Sequence, residues 1–162
     1  FPFTAEEIDM YKNEINWRNL IRNEYLTEET IIKYRKEFCD VVKNEEGFLI
    51  EAFDCIEGVS HETMHLYQDV IFEMSERCQK GLWSVISRNA ILTKEFIIEY
   101  KNFFDLDVVL QRITLQKEEY MIEMEKINSG EILKNECYYT SPLVKEKNGN
   151  DLSDYFLEIL VL

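Results

Sequence analysis

The run His61-Glu62-Thr63-Met64-His65 is the part of this chain whose residue types and spacing spell out chemistry. Residues four apart on a helix share a face, so two imidazoles in this pattern can hold one zinc ion. Under that reading His61 and His65 are metal ligands. Glu62 is the general base that activates a metal-bound water, as in a zinc-dependent metallopeptidase. A third ligand has to come from downstream, where Glu95 and Glu99 are candidate donors.

Other features of the sequence weigh against the enzyme. Glu62 recurs as Glu29 and Glu95 in two similar segments, so a pattern unrelated to catalysis already accounts for it. The motif opens directly after Ser60, a residue suited to cap a helix, which places it at an exposed helix start. Zinc peptidases usually hold substrate on the edge of a sheet, and no strand-like segment precedes residue 61. The chain has 2 histidines, so no third is left as ligand or proton shuttle. The balance falls towards a non-enzyme without a cofactor, with zinc required only under the peptidase alternative. The paired acids Glu6-Glu7, Glu28-Glu29, Glu45-Glu46 and Glu118-Glu119 read as solvated helix faces and partners of helix N-termini rather than catalytic dyads. No glycine-rich phosphate loop and no GxSxG element is present.

The elements around the motif read as helices. Thr4 with Glu7 has capping-box spacing, and Ile8, Tyr11 and Ile15 follow on one stripe. Thr27 caps a second helix carrying Ile31, Tyr34, Phe38, Val41 and Val42. Phe48, Leu49, Ala52, Phe53 and Ile56 suit a shorter helix between Gly47 and Gly58. Ser60 caps a helix bearing Met64, Tyr67, Ile71, Met74 and Cys78, and Thr93 one bearing Ile97, Tyr100, Phe103 and Phe104. A last helix uses Tyr120, Met124 and Ile127 and stops near Gly130. Beyond it, Cys137 to Thr140 and Phe156 to Leu162 are rich in β-formers and flank Pro142 and Asn148-Gly149, which predicts a small β-hairpin or an extended tail.

Three segments align without gaps: Leu26-Thr27-Glu28-Glu29-Thr30-Ile31-Ile32-Lys33-Tyr34, Val59 to Tyr67, and Leu92 to Tyr100. Each begins 33 residues after the one before. Each has an aliphatic residue, a hydroxyl, a glutamate two places later, then an apolar residue and a tyrosine three apart. The hydroxyl accepts from a free helix N–H, and the acid suits the helix dipole. The aliphatic residue staples the entry, and the apolar residue and tyrosine face one neighbour. Trp17-x-x-Leu20-Ile21-Arg22-Asn23 and Trp83-x-x-Ile86-Ser87-Arg88-Asn89 precede the first and third segments at twice the period. A weaker fourth unit starts at Leu115.

The unit Trp83-Ser84-Val85-Ile86-Ser87 with Leu92-Thr93-Lys94-Glu95-Phe96-Ile97-Ile98-Glu99-Tyr100 resembles the short α-helical repeats of giant-virus and phage proteins. The resemblance spans most of residues 14–124. It implies helical pairs in a curved array and carries no catalytic residue. The family's spacing is near the 23 residues between Leu92 and Leu115, and the 33-residue spacing departs from it.

Composition bounds the function. Of 162 residues, 32 are Asp or Glu and 18 Lys or Arg, a net charge of −14 that disfavours binding to phosphate backbones or anionic membranes. No apolar run approaches a membrane span, and no secretory signal is apparent. Cys39, Cys55, Cys78 and Cys137 form no CxxC pair and read as reduced thiols of a cytoplasmic protein. The expectation is therefore a mainly α, single domain over 1–162, with a helical-repeat-like array of about six to eight helices in 1–130 and strands or a tail in 131–162. Its expected role is an acidic protein–protein interaction module with a basic protein partner, and no direct nucleic-acid or membrane contact. In a specific form it is a viral or phage inhibitor, in host cytoplasm, that covers the nucleic-acid groove of a defence enzyme.

Overall fold

A computed structural model describes residues 5–22 and 26–130. They are mainly helical and divide in sequence between Ile91 and Leu92 into two compact units. The first holds α1 (Ala5–Tyr11), α2 (Trp17–Arg22), α3 (Glu28–Lys33), α4 (Arg35–Val42), α5 (Gly47–Cys55), α6 (His61–Glu73) and α7 (Glu76–Asn89). The second holds α8 (Lys94–Tyr100) and α9 (Leu106–Asn128). The hairpin or tail expected at 131–162 and the cap expected at Thr4 lie outside the described residues, which contain no strand and a single isolated bridge, Val59 with Ala90.

In the first unit α5 is the hub. Phe48, Leu49, Ala52 and Phe53 recur with helical period and are all fully buried. They face α7, which supplies Leu82, Trp83, Val85 and Ile86, and they also meet α2 and α4. A Cβ on Gly81 would stand 3.2 Å from Ile50 Cδ1, so the missing side chain lets α7 approach α5 closely. Aromatic rings run through this core: Trp17 lies 5.2 Å from Phe38, and Phe38 5.2 Å from Phe48, centroid to centroid, in tilted geometry. In the second unit Phe96 packs edge-on against Tyr100 and Phe104. Asp105 accepts from Val108 N–H at the start of α9, and Gly130, at φ +78°, takes the left-handed turn just past its end.

The expected helix starts at Thr27, Ser60 and Thr93 are all present. Each hydroxyl oxygen accepts from the backbone N–H three residues on: Thr30 at 3.3 Å, Thr63 at 3.2 Å and Phe96 at 3.2 Å. The aliphatic residues before them, Leu26, Val59 and Leu92, are buried, as are Ile31, Met64 and Ile97 and the tyrosines 34, 67 and 100.

Two expected helices are each cut in two, and α2 is a further helix that the sequence reading does not place, which brings the number of helices among the described residues to nine. The run from Thr27 to Val42 breaks at Tyr34, whose ψ of 30° leaves the helical region. Its hydroxyl donates to Asp9 Oδ1 on α1 at 2.7 Å, beside Lys33, which pairs with the same carboxylate. The run from Ser60 to Cys78 breaks at Met74, which is extended at ψ 157°. The next helix starts because Glu46, 29 residues earlier, accepts from both Ser75 N–H and Ser75 Oγ. Local pattern cannot reveal a cap supplied from so far along the chain.

Asn89 closes the first unit's core. Its side-chain amide donates to Phe53 O at 2.8 Å and Ile56 O at 2.7 Å, carbonyls at the end of α5 that have no helical partner. Its own carbonyl accepts from Val59 N–H, and Val59 O accepts from Ile91 N–H. Asn89→Ala is expected to cost about 2 kcal/mol or more, because it strips two carbonyls of their donor, and urea denaturation checks this. A second expectation concerns acid. The Ser75 hydroxyl, then the Ser75 N–H and Cys78, hold the Glu46 carboxyl below its usual value near 4.5. A carboxyl with a depressed folded pKa contributes stability that is present above about pH 4.5 and lost as pH falls through its folded value. Between near-neutral and strongly acidic pH, Glu46→Gln should therefore lose less stability than the parent chain, read from denaturation midpoints.

Candidate functional site

The start of α6 is built before any ligand is considered. Ser60 caps it, and Thr63 and Met64 are buried beneath its first turn. Glu28, at the start of α3, reaches across: its Oε1 accepts from Ser60 N–H at 2.6 Å and from the Thr63 hydroxyl. One carboxylate thus joins the starts of α3 and α6. Tyr67, one turn further on and buried, donates to Ile31 O of α3 at 2.7 Å, and burial pushes its phenol far above the ordinary range. Arg35 of α4 grips the outer side of α6: its Nη2 donates to both Asp69 carboxylate oxygens (2.9 and 3.0 Å) and its Nε to Leu66 O.

On that fixed first turn stand the residues singled out by their spacing. His61 is half-buried, while Glu62 and His65 are exposed. The two imidazole rings meet edge to face, with centroids 4.5 Å apart and planes at 75°. The motif therefore brings its two histidines together and turns its glutamate outwards. A hydrolytic zinc centre also needs a further ligand and an extended edge to hold a substrate strand, and the described residues form no strand. Glu95 and Glu99 are both exposed on α8, in the second unit.

The paired acids separate into different structural tasks. Glu45 pairs with Arg18 at 2.8 Å while Glu46 caps α7, and Glu28 holds α6 while Glu29 stays exposed. The described cysteines are free thiols. Burial raises the Cys39 thiol, and burial followed by the charges of Asp54 and Glu51 raises Cys55, so neither is an activated nucleophile.

An open cleft of about 720 Å³ lies beside Gly58, lined by Leu26, Thr27, Glu28, Cys55, Glu57, Gly58 and Ile91. A Cβ on Gly58 would come within 2.8 Å of Ile91 Cγ1, so a side chain there would have to displace the exposed Ile91 side chain beside the Val59–Ala90 bridge. Two carboxylates and no basic side chain line the cleft. Glu57, the cleft-lining acid that makes no cap, is a residue the sequence pattern gave no reason to select. Its only signal is its place in the loop between Cys55 and Ser60.

Glu62→Gln is expected to cost no more than about 1 kcal/mol, the scale of a first-turn charge at a helix start, when measured by denaturant unfolding. Comparison with protein-family models, curated proteins and solved structures finds no match to this chain.

Proposed function

We propose that this chain is an acidic protein–protein interaction module whose partner presents a basic surface. The observation that carries the reading is where the carboxylates stand. The described core contains no charged residue; besides the aromatic side chains with a polar end, its buried polar side chains are Thr63 and Ser87. The surplus of acids is therefore spread over the surface. Many described cations are already paired, Arg18 with Glu45, Lys33 with Asp9, Arg35 with Asp69 and Lys80 with Glu76. The cleft beside Gly58, with Glu28 and Glu57 in its wall, suits an inserted lysine or arginine side chain. No helix among the described residues is long and apolar enough to cross a membrane.

The hydroxyl-capped, buried-tyrosine segments 33 residues apart support a helical-repeat-like array, in keeping with the resemblance to giant-virus and phage repeats. In its most specific form the module is a viral or phage inhibitor acting in host cytoplasm, and its carboxylates take the place of phosphates in the groove of a nucleic-acid-handling defence enzyme. Complementary charge would speed and orient that encounter.

A fluorescent arginine-rich peptide, standing in for such a groove, tests the charge argument. It should bind the chain at low salt and weaken steadily as ionic strength rises. Glu57→Lys combined with Glu29→Lys should weaken it by about tenfold, as expected when like charge replaces opposite charge at a contact. Equal binding by parent and variant, or binding indifferent to salt, would overturn the reading.

A further inference from the structure

We infer that His61 and His65 form a chelating site for one borderline divalent cation of the class of Zn²⁺, Ni²⁺ and Cu²⁺. The site is independent of any hydrolytic activity and of the basic partner.

The inference starts from distance. The two rings are 4.5 Å apart between centroids, and a ring nitrogen of one lies within 4.8 Å of a ring nitrogen of the other. Zinc bonds to imidazole at about 2.0–2.1 Å, and tetrahedral angles then set the two nitrogens about 3.3 Å apart. Side-chain rotation alone can close that difference. His65 is exposed and His61 half-exposed, so both rings are open to an ion from solvent.

The backbone beneath them is already fixed. Ser60 caps the turn, Glu28 holds Ser60 and Thr63, and Met64 and Tyr67 are fully buried on the inner face of the same helix. A cation therefore has only two imidazoles to order, not a loop to fold, and that is the condition under which a small site binds well. Imidazole nitrogen favours this class of ions over Mg²⁺ and Ca²⁺, which prefer oxygen ligands. Water can complete the coordination shell, so the site calls on no strand and no general base. Its effect is mechanical: the ion bridges adjacent turns of α6 and stabilises the folded chain by mass action.

Zinc chloride is titrated into the full chain in chelator-free buffer, with a chromophoric chelator as competitor and thermal melts in parallel. The expected result is one Zn²⁺ per chain and a rise in melting temperature. His61→Ala and His65→Ala should each weaken binding at least about tenfold, the lower end of what disturbing a metal's surroundings costs. The double variant should abolish it, Glu62→Gln should leave it intact, and Mg²⁺ should not compete. Melts without metal establish that the variants are folded. If an alanine variant is not folded, His65→Gln replaces it, with the same loss expected. No binding by the parent chain, equal binding by the double variant, or loss on Glu62→Gln would overturn the assignment. The peptide assay above uses metal-free protein, so failure there leaves this site standing, and failure here leaves the interaction reading standing.

Discussion

The first unit depends on one side-chain amide. Asn89 donates both of its amide hydrogens to the carbonyls of Phe53 and Ile56, where α5 ends, and its own carbonyl takes the N–H of Val59. Helix ends leave carbonyls without partners, and a buried end without donors is costly. The apolar stripe of α5 is fully buried, and the two carbonyls where the helix ends take their donors from Asn89. Asn89 resolves that conflict, and in doing so it fixes the chain entering α6 against the chain leaving α7. The start of α6, with its histidines, is placed by this junction on one side and by Glu28 on the other.

Much of this was legible in the residues. Thr27, Ser60 and Thr93 are local signals, since a hydroxyl cap and the N–H it serves lie three residues apart, and all three act as caps. The apolar stripe of α5 was legible for the same reason. The breaks at Tyr34 and Met74 were not. Tyr34 leaves the helix as its hydroxyl bonds Asp9, 25 residues earlier, and α7 begins where Glu46 meets Ser75. Both causes are tertiary and override a helical pattern that is continuous in sequence.

The candidate site divides in the same way. That His61 and His65 share a face follows from helical spacing, and the structure puts their rings in contact. That Glu28 and Glu46 hold distant caps while their neighbours Glu29 and Glu45 face elsewhere could not be read from two adjacent letters. Adjacent helical positions point about 100° apart, so doublets of acid rarely act on one target. Glu57 is not legible in the sequence, because a loop carries no period from which to infer its direction.

The long-range caps have a consequence for the order of folding. Glu46 to Ser75, Glu28 to Ser60 and Asn89 to Phe53 span 29, 32 and 36 residues. Solenoid repeats in which each unit supplies its own boundaries can nucleate anywhere and propagate. Here a helix boundary is written by a residue about thirty positions away, so loops of that length must close before the boundaries are set. Closure on that scale slows the search and makes the ends of α5, α6 and α7 form together rather than in sequence. The helix boundaries of the first unit are thus set by contacts between residues far apart in sequence.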